Sequence, residues 1–436
     1  MEIPRRWKNY GNVDKIYDYV QEAKGCWGKG SDSSHERPEE KEAITIKIDK
    51  RGKDKQKIFA VVNGRILQTL SDSYTPTNTR IHYLLRNLMD FNDIEVDCVS
   101  FPQYNNNNVL AKAVDNIIKI IVAFRSAWIM VQDRPLVFFA YPSSLAQRQN
   151  RALFSLSKLI RLKVILDIHD TIEQIDALGA SHKSAISKSM EGDYIKSSWL
   201  VSSSIKGPLW MNLKKEYSIK EDKVIFVPNA FEDAFLASFP DPYRSVDGRF
   251  NISYVGGLSK NRGISPLVEA CIELHRVYPH IKLFIFGWYG KGISMELKDK
   301  IENSSFIVRK EVPREEILSY FHDIDLFVMP YNPNESYMKS ITPTKLFEYI
   351  GTGIPIISTK CETLMDFVGN KGIDYVDYSV DDFKNAIDTM INQPAKRERI
   401  SRELMELRRG HTWGERAGRI HMAINDRLNS TMSRMK

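Results

Sequence analysis

Along this chain short apolar runs alternate with longer amphipathic ones, and that alternation restricts the fold more than any other feature. Residues 58–62, 94–99, 136–140 and 164–167 read as strands, with helices at 80–89, 110–124 and 144–160 between them. Parallel neighbouring strands need a helical crossover, so the alternation implies a doubly wound parallel sheet. The pattern restarts with strands at 250–254, 282–286, 306–308, 326–329 and 354–357, followed by helices at 381–391, 397–408 and 413–429. A chain of 436 residues has length for two such α/β domains and an extension. Ligands of these sheets sit beyond the carboxyl ends of the strands, so candidate site residues are sought there.

Residues 340–358, SITPTKLFEYIGTGIPIIS, hold the most informative local pattern. Thr342 is placed to cap a helix and Pro343 to occupy its first position, where a missing N–H costs nothing. Leu346, Phe347 and Ile350 then face inward, and Gly351 and Gly353 end the helix. A helix start with free N–H groups suits phosphate. Glu348 lies roughly 9 Å further along the axis at 1.5 Å per residue, about the span from a diphosphate to a ribose. A carboxylate there accepts hydrogen bonds from both ribose hydroxyls; the plain alternative is an ordinary crossover with a surface glutamate. Upstream, Tyr254-Val255-Gly256-Gly257-Leu258-Ser259-Lys260-Asn261-Arg262-Gly263 follows a strand. Gly256 and Gly257 allow close backbone approach there, and Lys260 and Arg262 are cations for a diphosphate, with a solvated turn as the alternative.

The string Pro343-x-Lys345-x-x-Glu348-Tyr349-x-x-x-Gly353-x-Pro355 resembles the nucleotide-sugar motif of GT-B glycosyltransferases, specifically the GT4 or group 1 family, and the glycine loop upstream stands in the matching order. The resemblance implies a GT-B fold, with two Rossmann-like doubly wound parallel-sheet domains facing across a cleft. It implies donor contacts from Gly256, Gly257, Lys260, Arg262, Ser340, Ile341, Thr342, Pro343, Thr344, Lys345 and Glu348, with Glu348 on the ribose and the 340–344 helix start on the diphosphate. This sequence departs from the family in two places. Ser340 stands where many relatives carry an acidic residue, and Gly257 where many carry arginine.

In the first half, Asp167-Ile168-His169-Asp170 falls where a strand ends. By resemblance His169 faces the transferred sugar, which with Glu348 makes the catalytic pair. Asp170 either positions the acceptor or caps the next helix, and Arg80 with the loop before it is a candidate acceptor edge. Asn229, in a Val-Pro-Asn hinge, reads as a turn residue, and the basic residues of the last helix, Arg416, Arg419 and Arg427, as a solvated face. Asp323-Ile324-Asp325 leads into a strand, the wrong setting for a metal-binding Asp-x-Asp, and no metal or other cofactor is expected. The domains divide as an extension at 1–57, an acceptor-side domain at 58–210, an interdomain segment at 211–249, a nucleotide-sugar domain at 250–410, and a helix at 411–436 crossing back to the first domain.

The net charge of +7 favours anionic partners: a nucleotide-sugar donor, a glycan or pyrophosphate-linked lipid acceptor, or a membrane surface. No nucleic-acid module is present. Four cysteines without metal or disulfide spacing, and a polar N-terminus, point to the cytoplasm or the inner membrane face. The expected activity is therefore transfer of a sugar from a nucleoside-diphosphate sugar to a glycan or lipid-linked acceptor, with retention, in surface polysaccharide or glycoconjugate synthesis. A non-catalytic GT-B subunit supporting a partner, and a nucleotide-sugar epimerase, are the two alternatives.

Overall fold

The computed structural model describes residues 55–62, 76–100, 109–177, 186–244, 248–259, 262–290, 292–335 and 343–433. Most of the 1–57 extension, the loop before Arg80 up to residue 75, and the donor candidates Lys260, Ser340, Ile341 and Thr342 lie outside the described residues.

The first domain holds β1 (Gln56–Val62), α1 (Pro76–Leu88), β2 (Ile94–Ser100), α2 (Val109–Asp133), β3 (Leu136–Tyr141), α3 (Arg148–Leu159), β4 (Val164–Ile168), α4 (Ile172–Ala177), α5 (Lys188–Ser197), β5 (Leu200–Ser203), α6 (Gly207–Tyr217) and β6 (Val224–Phe226). Its strands pair in parallel in the order β2-β1-β3-β4-β5-β6. Residues of β1 and β3 alternate between two apolar layers because successive side chains leave opposite faces of a strand. Phe59, Val61, Val137 and Phe139 join one layer, and Ile58, Ala60, Leu136 and Phe138 the other.

A short helix, α7 (Ala234–Ser238), leads to the second domain. There follow β7 (Phe250–Val255), α8 (Ser265–Val277), β8 (Ile281–Phe286), α9 (Met295–Glu302), β9 (Ile307–Lys310), α10 (Arg314–Phe321), β10 (Leu326–Met329), α11 (Thr344–Thr352), β11 (Ile356–Thr359), α12 (Glu362–Val368), β12 (Ile373–Val376), α13 (Val380–Asn392) and α14 (Pro394–Leu407). This sheet runs β12-β11-β10-β7-β8-β9, also all parallel, so its strand order reverses between β7 and β10. That reversal leaves a crevice at the carboxyl ends of those two strands.

The last helix, α15 (Trp413–Ser433), buries Trp413, Ala417, Ile420 and Ile424 against Ile81, Leu84 and Leu88 of α1. Arg416 corrects the reading of a solvated basic face. It is fully buried, donating to the carbonyls of Pro228 (3.1 Å) and Gly410 (2.7 Å). Burial and the neighbouring Arg419 lower its pKa to about 9.

Several boundaries differ from expectation. The single helix expected at 144–160 is a tight turn followed by α3, because Ser144 Oγ bonds the Ala140 carbonyl of β3 and Asn150 Nδ2 the Ser144 carbonyl (both 2.7 Å). The helix expected at 110–124 continues to Asp133. Pro343 precedes α11 rather than opening it, and Gly351 lies inside the helix, which ends at Gly353 in a left-handed conformation (φ 70°). Asp325 is structural: it accepts from Asn251 N–H (2.7 Å) and the Tyr243 hydroxyl (2.9 Å). No described helix is long and apolar enough to cross a membrane.

Candidate active site

The carboxyl ends of the two sheets face one another across a cleft of about 910 Å³. On one wall stand Thr77, Thr79, Arg80, His169, Asp170, Gln174 and Asn229; on the other stand the glycine loop, the start of α11 and the α10 terminus. Gly256, Gly257, Arg262, Pro343, Thr344, Lys345 and Glu348 all line it, so the cleft draws together every described donor candidate.

Gly256 sits at φ 128°, a region an L side chain rarely adopts, and a β-carbon there would meet Lys345 Nζ at 3.0 Å. Lys345 crosses beneath this loop. Its ammonium donates to the Val255 carbonyl (2.6 Å) and lies 4.1 Å from the centre of the Tyr254 ring. Burial, and then the nearby Arg262, push its pKa well below the ordinary lysine value. An anion beside the ammonium would relieve that cost. Beside it, Thr344 Oγ1 is buried without a hydrogen-bond partner at the helix start. Backbone N–H groups at that start point the same way.

Glu348 is 3% exposed and forms an ion pair with Arg314 at the first turn of α10. Arg314 also pairs with Glu232 at 2.9 Å, so it joins this wall of the cleft to the interdomain segment. Sequence reasoning passed over Arg314, which sits among ordinary charges in a helix start. Its only signal was the place after Glu311-Val312-Pro313, at the end of a strand. Gln174 and Tyr331 were missed for the same reason: nothing local marks them. An arginine at Gly257, as relatives carry, would require the Trp288 indole to shift. A β-carbon there would lie 3.1 Å from Trp288 Cε2, a tight contact with the indole. Trp288 remains 59% exposed and lines the cleft.

On the opposite wall, burial lowers the His169 pKa to about 4, and its Nδ1 is buried without a hydrogen-bond partner. The ring is therefore neutral near pH 7. Desolvation lifts the neighbouring Asp170 to about 7. Arg80, a candidate acceptor edge by sequence, stands on the cleft wall with its side chain turned to the domain interior. It is 1% exposed and grips Asp167 through two bonds of 2.8 and 2.7 Å, with Asn229 Oδ1 at 3.4 Å. A buried carboxylate needs such a fork, and Asp167 also accepts from Ser202 Oγ at 2.7 Å. Among the described residues no cluster of His, Cys, Asp and Glu is placed to hold a metal ion.

Residues 249–393 match the family model of group 1 glycosyl transferases, a span that includes the glycine loop and the α11 start. The chain is a glycosyltransferase of the GT-B fold. It is 21% identical over 377 residues to the capsular polysaccharide biosynthesis glycosyltransferase CapM of Staphylococcus aureus, covering 79% of this chain and 90% of CapM. Among solved structures, this glycosyltransferase resembles sucrose-phosphate synthase from Thermosynechococcus elongatus with a TM-score of 0.59 (14% identity, 86% of this chain, 100% of that one). It also resembles Anabaena HepE in complex with UDP and glucose, with a TM-score of 0.55 (12% identity, 85% and 99%).

Proposed function

We propose that the cleft binds a nucleoside-diphosphate sugar and transfers its sugar, with retention, to a glycan or lipid-linked acceptor in capsular or related surface-polysaccharide synthesis. The observation that carries this is Glu348, a buried carboxylate ion-paired with Arg314 on the wall of the cleft, on the helix that starts beside the Gly256–Gly257 loop. CapM supports the polysaccharide setting, and HepE, whose structure holds UDP, favours uridine as the base.

In this reading Glu348 takes the ribose hydroxyls, and the α11 start with Lys345 and Arg262 takes the diphosphate. Stabilising the charge that builds on the leaving diphosphate is the dominant demand of the reaction. The bond from the anomeric carbon to the diphosphate oxygen breaks as the acceptor oxygen bonds the same face, and the acceptor proton passes to the leaving diphosphate. Neutral His169 lies by the sugar, and Asp170, protonated below about 7, bonds acceptor hydroxyls. No metal or other cofactor enters this scheme.

The test is calorimetry of the purified protein with UDP-, GDP-, ADP- and TDP-sugars, alongside Glu348→Ala. Saturable binding of one nucleotide class, weakened about tenfold to a hundredfold in the variant, supports the site; a charged hydrogen bond contributes about 1.5–3 kcal/mol. Equal binding by both proteins would remove Glu348 from the ribose. The anomeric configuration of the product, read by proton NMR, decides retention. Free sugar released without an acceptor would favour an epimerase-type reaction.

A further inference from the structure

Helix α2 is apolar on both sides. Val122, Ser126 and Met130 face the sheet and are buried, with Ser126 Oγ closing a bond to the Val122 carbonyl (2.7 Å). On the opposite side Ile117, Ile120, Ile121, Phe124, Trp128 and Val131 stand between 45% and 74% exposed. Their spacing of three and four residues makes a single stripe along the outer face. Scattered exposed hydrophobics need no explanation, but a continuous stripe that includes Trp and Phe marks a contact surface.

The charge beside the stripe decides what covers it. Helix α3 packs next to α2 on the same layer. From Arg134 to Leu166 the chain has no acidic residue and six basic ones. Arg148 and Arg161 stand exposed at either end of α3, with Leu159 between them 79% exposed. Two acidic groups bordering these helices are already engaged: Asp133 by Lys57 at 3.0 Å, and Asp193 by Lys158 at 2.8 Å. An aromatic and aliphatic stripe rimmed by cations has the composition of a helix lying in a lipid interface, its apolar side among acyl chains and its cations at anionic headgroups.

We propose that the outer face of α2, with the basic rim of α3, rests on an anionic bilayer surface. The inner face of α2 is committed to the sheet, so the helix lies flat and cannot insert deeply. Its N-terminal end is at the carboxyl end of β2, the cleft side of the sheet, which sets the cleft beside the membrane. This contact does not depend on which nucleotide the cleft takes.

The full chain is to be sedimented with vesicles of phosphatidylglycerol mixed with phosphatidylcholine, and with phosphatidylcholine alone. Two double variants are compared with it, Phe124→Ser with Trp128→Ser, and Arg148→Glu with Arg161→Glu. All four side chains are exposed, so melting temperatures and cleft ligand binding should match the unaltered protein. Binding to the anionic vesicles is expected, falling by about tenfold or more in either variant and weakening with salt. Failure of the unaltered protein to bind them, or equal binding by the variants, would overturn the proposal. So would a dimer in solution that Phe124→Ser with Trp128→Ser dissociates, because a second copy would then cover the stripe.

Discussion

A buried carboxylate needs a cation or several donors, and Glu348 takes Arg314. Replacing Arg314 with Met leaves that charge uncompensated. We expect a loss of about 2–3 kcal/mol in urea denaturation, below the usual cost for a wholly buried pair because Arg314 is one-fifth exposed. An unchanged midpoint would mean that the pair does not form in solution. Asp170 gives a pH signature. Burial lifts its pKa from 3.8 to about 7, so the folded chain keeps a proton that the unfolded chain loses. Its contribution is therefore present at low pH and is lost as pH rises between those values. Asp170→Asn should flatten that part of the profile of melting temperature against pH; a parallel profile would refute the shift. Glu348 was legible in the sequence because its spacing from a helix start is local. Arg314 was not, since only tertiary contact brings it opposite.

At the scale of elements, the loops after β7 and β8 are joined backbone to backbone. Gly256 N–H donates to the Phe286 carbonyl, and Leu258 N–H to that of Trp288, both at 2.8 Å. A β-carbon on Gly287 would lie 2.0 Å from the Gly256 carbonyl oxygen, closer than atoms can approach. Gly287→Ala must therefore push the β7 and β8 loops apart. The expected cost is about 1–3 kcal/mol in thermal unfolding, together with weaker nucleotide binding by calorimetry. A variant with both unchanged would show the loops to be independent. Strands such as β1, β3 and β10 were legible from their apolar runs, whereas helix ends were less so. The turn before α3 depends on Ser144 and Asn150 side chains bonding backbone, which competes with helix without altering periodicity.

For the whole molecule, α15 joins the end of the chain to the first domain. Phe231 of the interdomain segment exchanges backbone bonds with the α15 entry: its N–H donates to the His411 carbonyl (3.2 Å), and its carbonyl accepts from Trp413 N–H (3.1 Å). Trp413 is 1% exposed and stacks on Tyr83 with ring centres 6.1 Å apart. Trp413→Ala should cost about 3–5 kcal/mol in equilibrium denaturation, as expected for emptying a large buried site. A loss under about 1 kcal/mol would show that this helix does not hold the first domain.

By itself the sequence determined the two parallel sheets, the order of the donor motifs and the pairing of a helix start with Glu348. Those features follow from periodicity and spacing, which act over one or two turns of chain. Tertiary structure alone decided that Arg80 grips Asp167, that Arg416 is buried, that Trp288 stands against Gly257, and that no described residue covers the outer side of α2. Each of these depends on which distant group arrives at a position. A charge is stable inside only where a partner meets it, and an apolar face stays exposed only where none does.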